Sequence, residues 1–406
     1  MAQGIKDKVA VIGVGCSKFG ERWDCSAEDL LIEAYKEAIT DAGVDPNDIE
    51  GGFAGTAFPT VHLGKAATPI AQILRLDYVP FSRNENYCGT GADAFRFASY
   101  AVASGAIDLA LVVGVEKLKD VGTPGLPVGG VDTPPKGNFL APLLSGGPGV
   151  FALLATAYFA KYNIDYTAGK EMLARISAKS HYNGSLNPRA HMRRAVTIET
   201  IISAPIIAWP LGLFDCCGVT DGAACAVLCR SEDAKKYRDD PIYVKALQIS
   251  CTSGAPEEWA AGSWDGTYIE TTRQAAARAY KEAGVKNPRE EISFAEIHDC
   301  FSITEAIIME DLGFSAQGHV KDDVFDGRFH HDGAQPMNIS GGLKSFGHPI
   351  GATGIRMVYE LVTQMQGRAE TPARQLRNVK LGLTHNLGDA PSRSVVAITI
   401  LGKELG

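Results

Sequence analysis

Four short segments carry residue types able to do acyl chemistry. The first, Asn86-Tyr87-Cys88-Gly89-Thr90-Gly91, sets a thiol just ahead of a helix-like stretch. A thiol at a helix N-terminus sits in the positive end of the dipole, which favours the thiolate. Gly89 and Gly91 let a substrate come close to the backbone, and N–H groups there can receive an oxyanion. By itself the segment also reads as a small buried Cys in a turn. The second, Glu296-Ile297-His298-Asp299-Cys300-Phe301, follows an apolar run at 292–297. His298 and Cys300 would stand at a strand's carboxyl end, where open α/β sheets bind ligands. A capping His-Asp pair beside a buried Cys fits equally well.

The third segment, residues 341–354, surrounds His348 with five glycines and precedes a helix expected over 355–364. A histidine held by such a loop can act as general base for a thiol. The fourth, Thr384-His385-Asn386-Leu387-Gly388, is expected to follow a strand at 379–383 and is uninformative by itself. Other candidates fail on spacing. Gly13-Val14-Gly15 follows a strand, but Lys18 stands where a dinucleotide fingerprint needs glycine. Cys216, Cys217, Cys225 and Cys229 form no C-x-x-C pair, so no metal site is expected. The basic stretch Arg189, His191, Arg193, Arg194 is either a solvated face or a phosphate contact.

The elements that must position these residues alternate. Val9 to Val14 reads as a strand, and Ser26-Ala27-Glu28-Asp29 as a capping box opening a helix that closes at Gly43. A helix at 91–104 and a strand at 106–115 follow. Such alternation argues for an α/β fold with a mostly parallel sheet and helices on its faces. The pattern then recurs. AYKEAITDAGV at 34–44 and AYKEAGV at 279–285 share a helix end and a Gly turn, each preceded by a strand-like run, at 8–14 and 242–249. An internal duplication explains this matching order better than chance does. Between the repeats, 121–205 changes character: a Gly- and Pro-rich loop at 121–136, then helices at 151–162 and 169–182. Long insertions of this kind carry ligand contacts.

Composition bounds the rest. The chain has 406 residues, 44 of them Gly, nine Cys and a net charge of -8. That charge argues against a general nucleic-acid binder and requires a local basic patch for any anionic ligand. The longest apolar run, near 149–160, is too short to span a bilayer, and no signal peptide is legible. A cytoplasmic protein with reduced thiols is expected.

Taken together, the NYCGTG, HDCF, GHPIGATG and HNLG segments resemble the thiolase superfamily over essentially the whole chain. HDCF, with LFDCC at 213–217, is similar to sterol-carrier-protein-type thiolases and their bacterial and archaeal relatives. The resemblance implies duplicated βαβαβαββ halves in a five-layer αβαβα sandwich, with a loop domain laid over the first half. The implied divisions are 1–120, completed by about 211–232; an insertion at 121–210 over the active site; and 233–406. It implies Cys88 as the acyl-accepting nucleophile, His348 as its base, Cys300 as second acid/base, and His298 in one oxyanion hole. The N–H groups of Cys88 and Gly388 would form the other. Coenzyme A would be a substrate, with no bound cofactor, and Arg189, Arg193 and Arg194 would meet its phosphates. A homodimer is implied, and in several relatives a small zinc-ribbon/OB-fold partner. Asp389-Ala390-Pro391-Ser392-Arg393 departs from the family's Gly-Gly run, which suggests an unusual acyl group. A benzoylsuccinyl-CoA thiolase subunit, from aromatic compound degradation, is one relative the chain resembles. Ketoacyl synthases share the fold and a Cys-His-His set, but need no Cys300. Retro-aldolases of the superfamily lack the nucleophilic Cys. A non-catalytic lipid-binding protein would leave Cys88 unreactive.

Overall fold

In the computed structural model, residues 4–58, 63–121, 147–252 and 264–406 are described. Most of the loop expected at 121–136 therefore lies outside the described residues. The first half runs β1 (Val9–Cys16), α1 (Ala27–Ala42), β2 (Gly51–Gly55), α2 (Thr68–Leu74), β3 (Phe81–Asn84), α3 (Thr90–Ala103) and β4 (Leu109–Glu116). Helices α4 (Gly147–Lys161) and α5 (Tyr166–Leu186) follow, then a small hairpin of β5 (Ile206–Ala208) and β6 (Leu211–Gly212), and β7 (Gly222–Arg230). The second half runs β8 (Ile242–Cys251), α6 (Glu270–Ala283), β9 (Phe294–Glu296), α7 (Ser302–Asp311), α8 (Ile350–Met365), β10 (Leu381–Gly388) and β11 (Val395–Gly402).

The strand order is β3-β2-β4-β7-β1-β8-β11-β10-β9. Read outward from the centre, each side repeats one plan. β1 pairs antiparallel with β7, β7 antiparallel with β4, and β4 parallel with β2. On the other side β8 pairs antiparallel with β11, β11 antiparallel with β10, and β10 parallel with β9. The duplicated halves read from the AYKEA repeat are therefore present as duplicated topology. The two half-sheets meet where β1 and β8 pair antiparallel, Ala10 opposite Tyr243 and Val11 opposite Ile242.

Local chemistry explains the repeated helices. Ser26 accepts from the Asp29 N–H while Asp29 accepts from the Ser26 N–H, and Gly43 ends α1 at φ 65. Gly284 ends α6 in the same way at φ 84. α1 packs on β1 and β7, and α6 on β8 and β11, each on the outer face of its half-sheet. Between the half-sheets lie α3 and α8, packed on each other. Every residue of α8 is buried, as a helix covered on all sides must be. This is the five-layer arrangement.

Three expectations shift. The helix expected from 355 begins at Ile350, so His348 stands directly before its first turn. Thr384 to Gly388 lies within β10, which continues past the expected strand end at 383. The insertion's α5 packs on α7 and on residues 342–345, which are second-half elements, rather than over the first half. The cause is a run of buried polar contacts. Lys179 pairs with Glu305, while Ser177 and Ser302 share a hydrogen bond at 2.8 Å. Buried charges must be paired in this way to be tolerated.

Candidate active site

The N-terminal turns of α3 and α8 meet between the half-sheets. Gly91, Gly114 and Gly351 allow it: a Cβ on Gly91 would stand 2.6 Å from the Gly351 carbonyl oxygen, and one on Gly114 at 2.2 Å. A Cβ on Gly354 would lie 2.3 Å from the Ala92 nitrogen. Gly91, read as making room for substrate, and Gly354 of the His348 loop thus make room for a helix against a helix. Glu116, at the end of β4, ties the crossing together. Its carboxylate accepts from the N–H groups of Ala57, Phe58 and Gly351 and from the Thr56 hydroxyl. Burial raises its pKa to about 6 against those bonds.

Cys88 stands two residues before α3, and His348 two residues before α8. Cys88, His298 and His348 each present a ligand-type atom, Sγ or an imidazole nitrogen, all within 4.8 Å of one another. The two imidazoles meet edge to face with centroids 5.2 Å apart. Tyr87, just ahead of the thiol, holds φ 48, an uncommon conformation for a residue with a Cβ. The Thr90 hydroxyl fixes that turn, donating to the Tyr87 carbonyl and accepting from the Asn86 N–H.

The hydrogen bonds of His348 point to its tautomer. Thr353 Oγ1 is placed to donate to the Pro349 carbonyl at 2.9 Å and, in that arrangement, to accept from His348 Nδ1, 2.8 Å away. Nδ1 then carries the proton and Nε2 the lone pair. Nε2 is buried and has no hydrogen-bond partner among the described residues. Burial, reinforced by Arg356, lowers the His348 pKa to about 3, so the ring is neutral at ordinary pH. His298 is likewise held well below its usual value by burial and by His348.

The thiols behave differently from the expectation. Burial pushes Cys88 well up, and Cys217, Glu116, Asp389 and Glu85 add to the rise. A helix terminus contributes roughly 0.3–1 kcal/mol, too little to offset desolvation without a nearby cation. Cys88 therefore rests as a thiol beside a neutral imidazole, rather than as a dipole-stabilised thiolate. Cys300 is buried, its Sγ 3.7 Å from Thr304 Oγ1, and its pKa is raised by burial and by the neighbouring Cys217 and Cys88. Sequence reasoning gives Cys217 no part in the site. Its N–H donates to the Cys300 carbonyl at 2.8 Å, and only the fold brings it there. The HDCF segment is anchored on both sides of its cysteine: Asp299 accepts from the Leu343 N–H, and Ser302 donates to Asp215. Gly388 abuts the Cys88 turn, where a Cβ would stand 2.9 Å from that of Tyr87 and 3.0 Å from the Asn86 carbonyl.

The basic stretch divides. Arg189 is committed to structure: its guanidinium bonds Glu37 at 2.7 and 2.9 Å, reaches Glu370 at 3.2 Å and donates to the Cys16 carbonyl. That removes it as a phosphate contact. Arg193 and Arg194 are exposed. The backbone beside them is clipped to the His348 loop, His191 N–H to the Phe346 carbonyl and Met192 N–H to the Ser345 carbonyl.

Comparison with known proteins agrees with this geometry. Residues 9–132 match the family description "Thiolase, N-terminal domain", and 257–402 match "Thiolase C-terminal domain-like". The chain is 37% identical to an acetyl-CoA acetyltransferase of Methanothermobacter thermautotrophicus over 393 residues, 96% of this chain and 98% of that one. It is 28% identical to the benzoylsuccinyl-CoA thiolase subunit BbsB of Thauera aromatica, covering 95% of each. Among solved structures, one described as an Ltp2-ChsH2(DUF35) aldolase superposes with a TM-score of 0.80 at 23% identity, over 98% of both chains, a likeness of fold. Matched nearly end to end, with the Cys88 and His348 turns ahead of twinned helices, this chain belongs to the thiolase family and is an acyltransferase.

Proposed function

We propose that the chain is an acyl-CoA C-acyltransferase that cleaves a β-ketoacyl-CoA with coenzyme A, or runs the reverse Claisen condensation, through an acyl-Cys88 intermediate. The observation that carries this reading is the Nε2 of a neutral His348, without a hydrogen-bond partner among the described residues, beside the Cys88 thiol. As Cys88 Sγ attacks the ketone carbon, its proton passes to His348 Nε2. No resting ion pair is needed, because proton transfer and attack occur together. The carbonyl oxygen becomes an oxyanion received by the N–H groups of Cys88 and Gly388. The carbon–carbon bond breaks, and the electron pair passes to an enolate whose oxygen faces His298. Cys300 donates the proton that turns this enolate into the shortened acyl-CoA. The His348 imidazolium returns its proton to the Cys300 thiolate. The incoming CoA thiol then gives its proton to the neutral His348 as it attacks the thioester, and that proton passes to the Cys88 thiolate as it leaves.

Arg193 and Arg194 are the side chains we assign to the CoA phosphates. We take residues 1–120 with 211–232 as one half, 121–210 as the insertion over the site, and 233–406 as the other half. The open edge of β3, with Phe97 and Tyr100 exposed nearby on α3, supports a homodimer. Among the described residues no helix is long and apolar enough to cross a membrane, in keeping with a cytoplasmic enzyme. The BbsB likeness, with Asp389 at φ 64 directly after Gly388, favours an aromatic β-keto acyl-CoA as a second reading of the substrate, with a zinc-ribbon/OB-fold protein as partner.

Mass spectrometry after incubation with acetyl-CoA or a β-ketoacyl-CoA tests the mechanism. A covalent acyl adduct on Cys88, lost in Cys88→Ala, is expected. Absence of any adduct across chain lengths, with or without such a partner, would refute it. Cys300→Ala should still acylate Cys88 while losing thiolysis and condensation.

A further inference from the structure

The same three side chains that hold the proposed chemistry also form a soft-metal ligand set. We propose that Cys88, His298 and His348 constitute a three-ligand site, one thiolate and two imidazoles, for a thiophilic divalent cation of the zinc class, and that its occupancy blocks the nucleophile.

The geometry is close to what such an ion needs. Coordination at about 2.1–2.3 Å in a tetrahedron spaces ligand atoms roughly 3.3–3.7 Å apart. The three atoms here all lie within 4.8 Å of one another, so rotations closing about 1 Å complete the site. Two features point at a ligand. Among the described residues His298 Nδ1 and His348 Nε2, both buried, have no hydrogen-bond partner, and each histidine is only 2% exposed. Buried imidazole nitrogens are costly to leave unmade. The Nδ1 of His348 is also fixed by Thr353, the outer contact that orients metal-ligating histidines. Binding joins Cys88 Sγ to the metal and sends the thiol proton to solvent. Three protein ligands leave a fourth position for water or an incoming thiol. Among the described residues no other cluster of three such groups occurs.

Cobalt(II), a spectroscopic stand-in for zinc, tests this on the full chain. A thiolate-to-cobalt charge-transfer absorption should grow to one equivalent, disappear in Cys88→Ala, and need at least about 10-fold more metal in His298→Gln, as loss of one ligand predicts. Zinc should displace the cobalt and slow alkylation of Cys88. Circular dichroism of each variant separates lost binding from lost folding. A missing band in the wild-type protein, or a band that survives Cys88→Ala, overturns the site. The metal blockade of acyl transfer rests on the function proposed above, but binding does not. Cobalt binding without acylation by any acyl-CoA would remove that function and leave the site standing.

Discussion

At the scale of single residues, the determining contact is a hydroxyl. Thr353 is placed to accept from His348 Nδ1 while donating its own proton to the Pro349 carbonyl. Replacing it by Val keeps the shape and releases the tautomer. We expect Thr353→Val to lower kcat by about 10- to 100-fold, within the range that general-base assistance supplies, with little change in KM. Thr353→Ser should restore it; if Val and Ser behave alike in steady-state assays, the hydroxyl has no such role. A second expectation concerns ionisation. Cys88's pKa is raised, so the thiol stays protonated at neutral pH and its thiolate fraction climbs only at alkaline pH. Alkylation of Cys88 by iodoacetamide should therefore keep accelerating past the ordinary cysteine range of about 8.5. A plateau below that range would mean a hidden cation stabilises the thiolate. The residue types are legible in the sequence: Cys88, His298, Cys300 and His348 are drawn to one region. Their protonation states are not, because burial and the charges around Cys88 among the described residues, Glu116, Asp389 and Glu85, are properties of the fold. Arg189 misleads for the same reason, since Glu37 and Glu370 reach it only through tertiary contact.

At the scale of elements, the site depends on how closely two helices approach. Gly354 sits where any Cβ would collide with backbone, not with a side chain that could turn away. Gly354→Ala should separate α3 from α8, cost roughly 1–3 kcal/mol as overpacking does, and reduce acylation of Cys88 more than that loss of stability explains. Chemical denaturation and the acyl-adduct assay together check it; an unchanged acylation rate in a destabilised protein would uncouple the crossing from the chemistry. Periodicity and capping show most of these elements in advance. The Ser26 box, the Gly43 stop and both AYKEA helices lie where the pattern places them. Boundaries near glycine are where the pattern fails. GHPIGATG reads as loop, yet Ile350 to Gly354 is the first turn of a fully buried helix, where burial overrides the low helix propensity of glycine. The HNLG segment is expected to follow a strand that ends at 383, though its pairing with β11 continues to Gly388 and Val395.

At the scale of the whole molecule, buried titratable groups set the pH response. His181, His348 and His385 are lowered by burial to about 4, 3 and 3, and His298 also lies well below the usual range. The unfolded chain takes up protons on these rings below about 6.5 while the folded one does not, so their contribution to stability is lost as pH falls from 6.5 toward 3–4. Glu116, Asp299 and Asp311 act oppositely: their raised values, about 6, 6 and 7, cost stability as pH rises through that range. With His191 and His330 also lowered and Glu310 and Glu360 also raised, six histidines face five acids, and the histidine shifts given above are on average the larger. The urea midpoint should therefore be lower at pH 5 than at pH 7, by a net loss on the order of 1–3 kcal/mol; a higher midpoint at pH 5 would show the acids winning. The mirrored strand order has one more consequence. A protein assembled from two identical copies cannot place a thiol at one helix start and an imidazole at its twin, because every mutation lands in both copies. Tethering the copies through residues 231–241 frees the two positions from each other. Cys88 and His348 hold the same address in two copies of one design, and the proposed reaction depends on their having diverged.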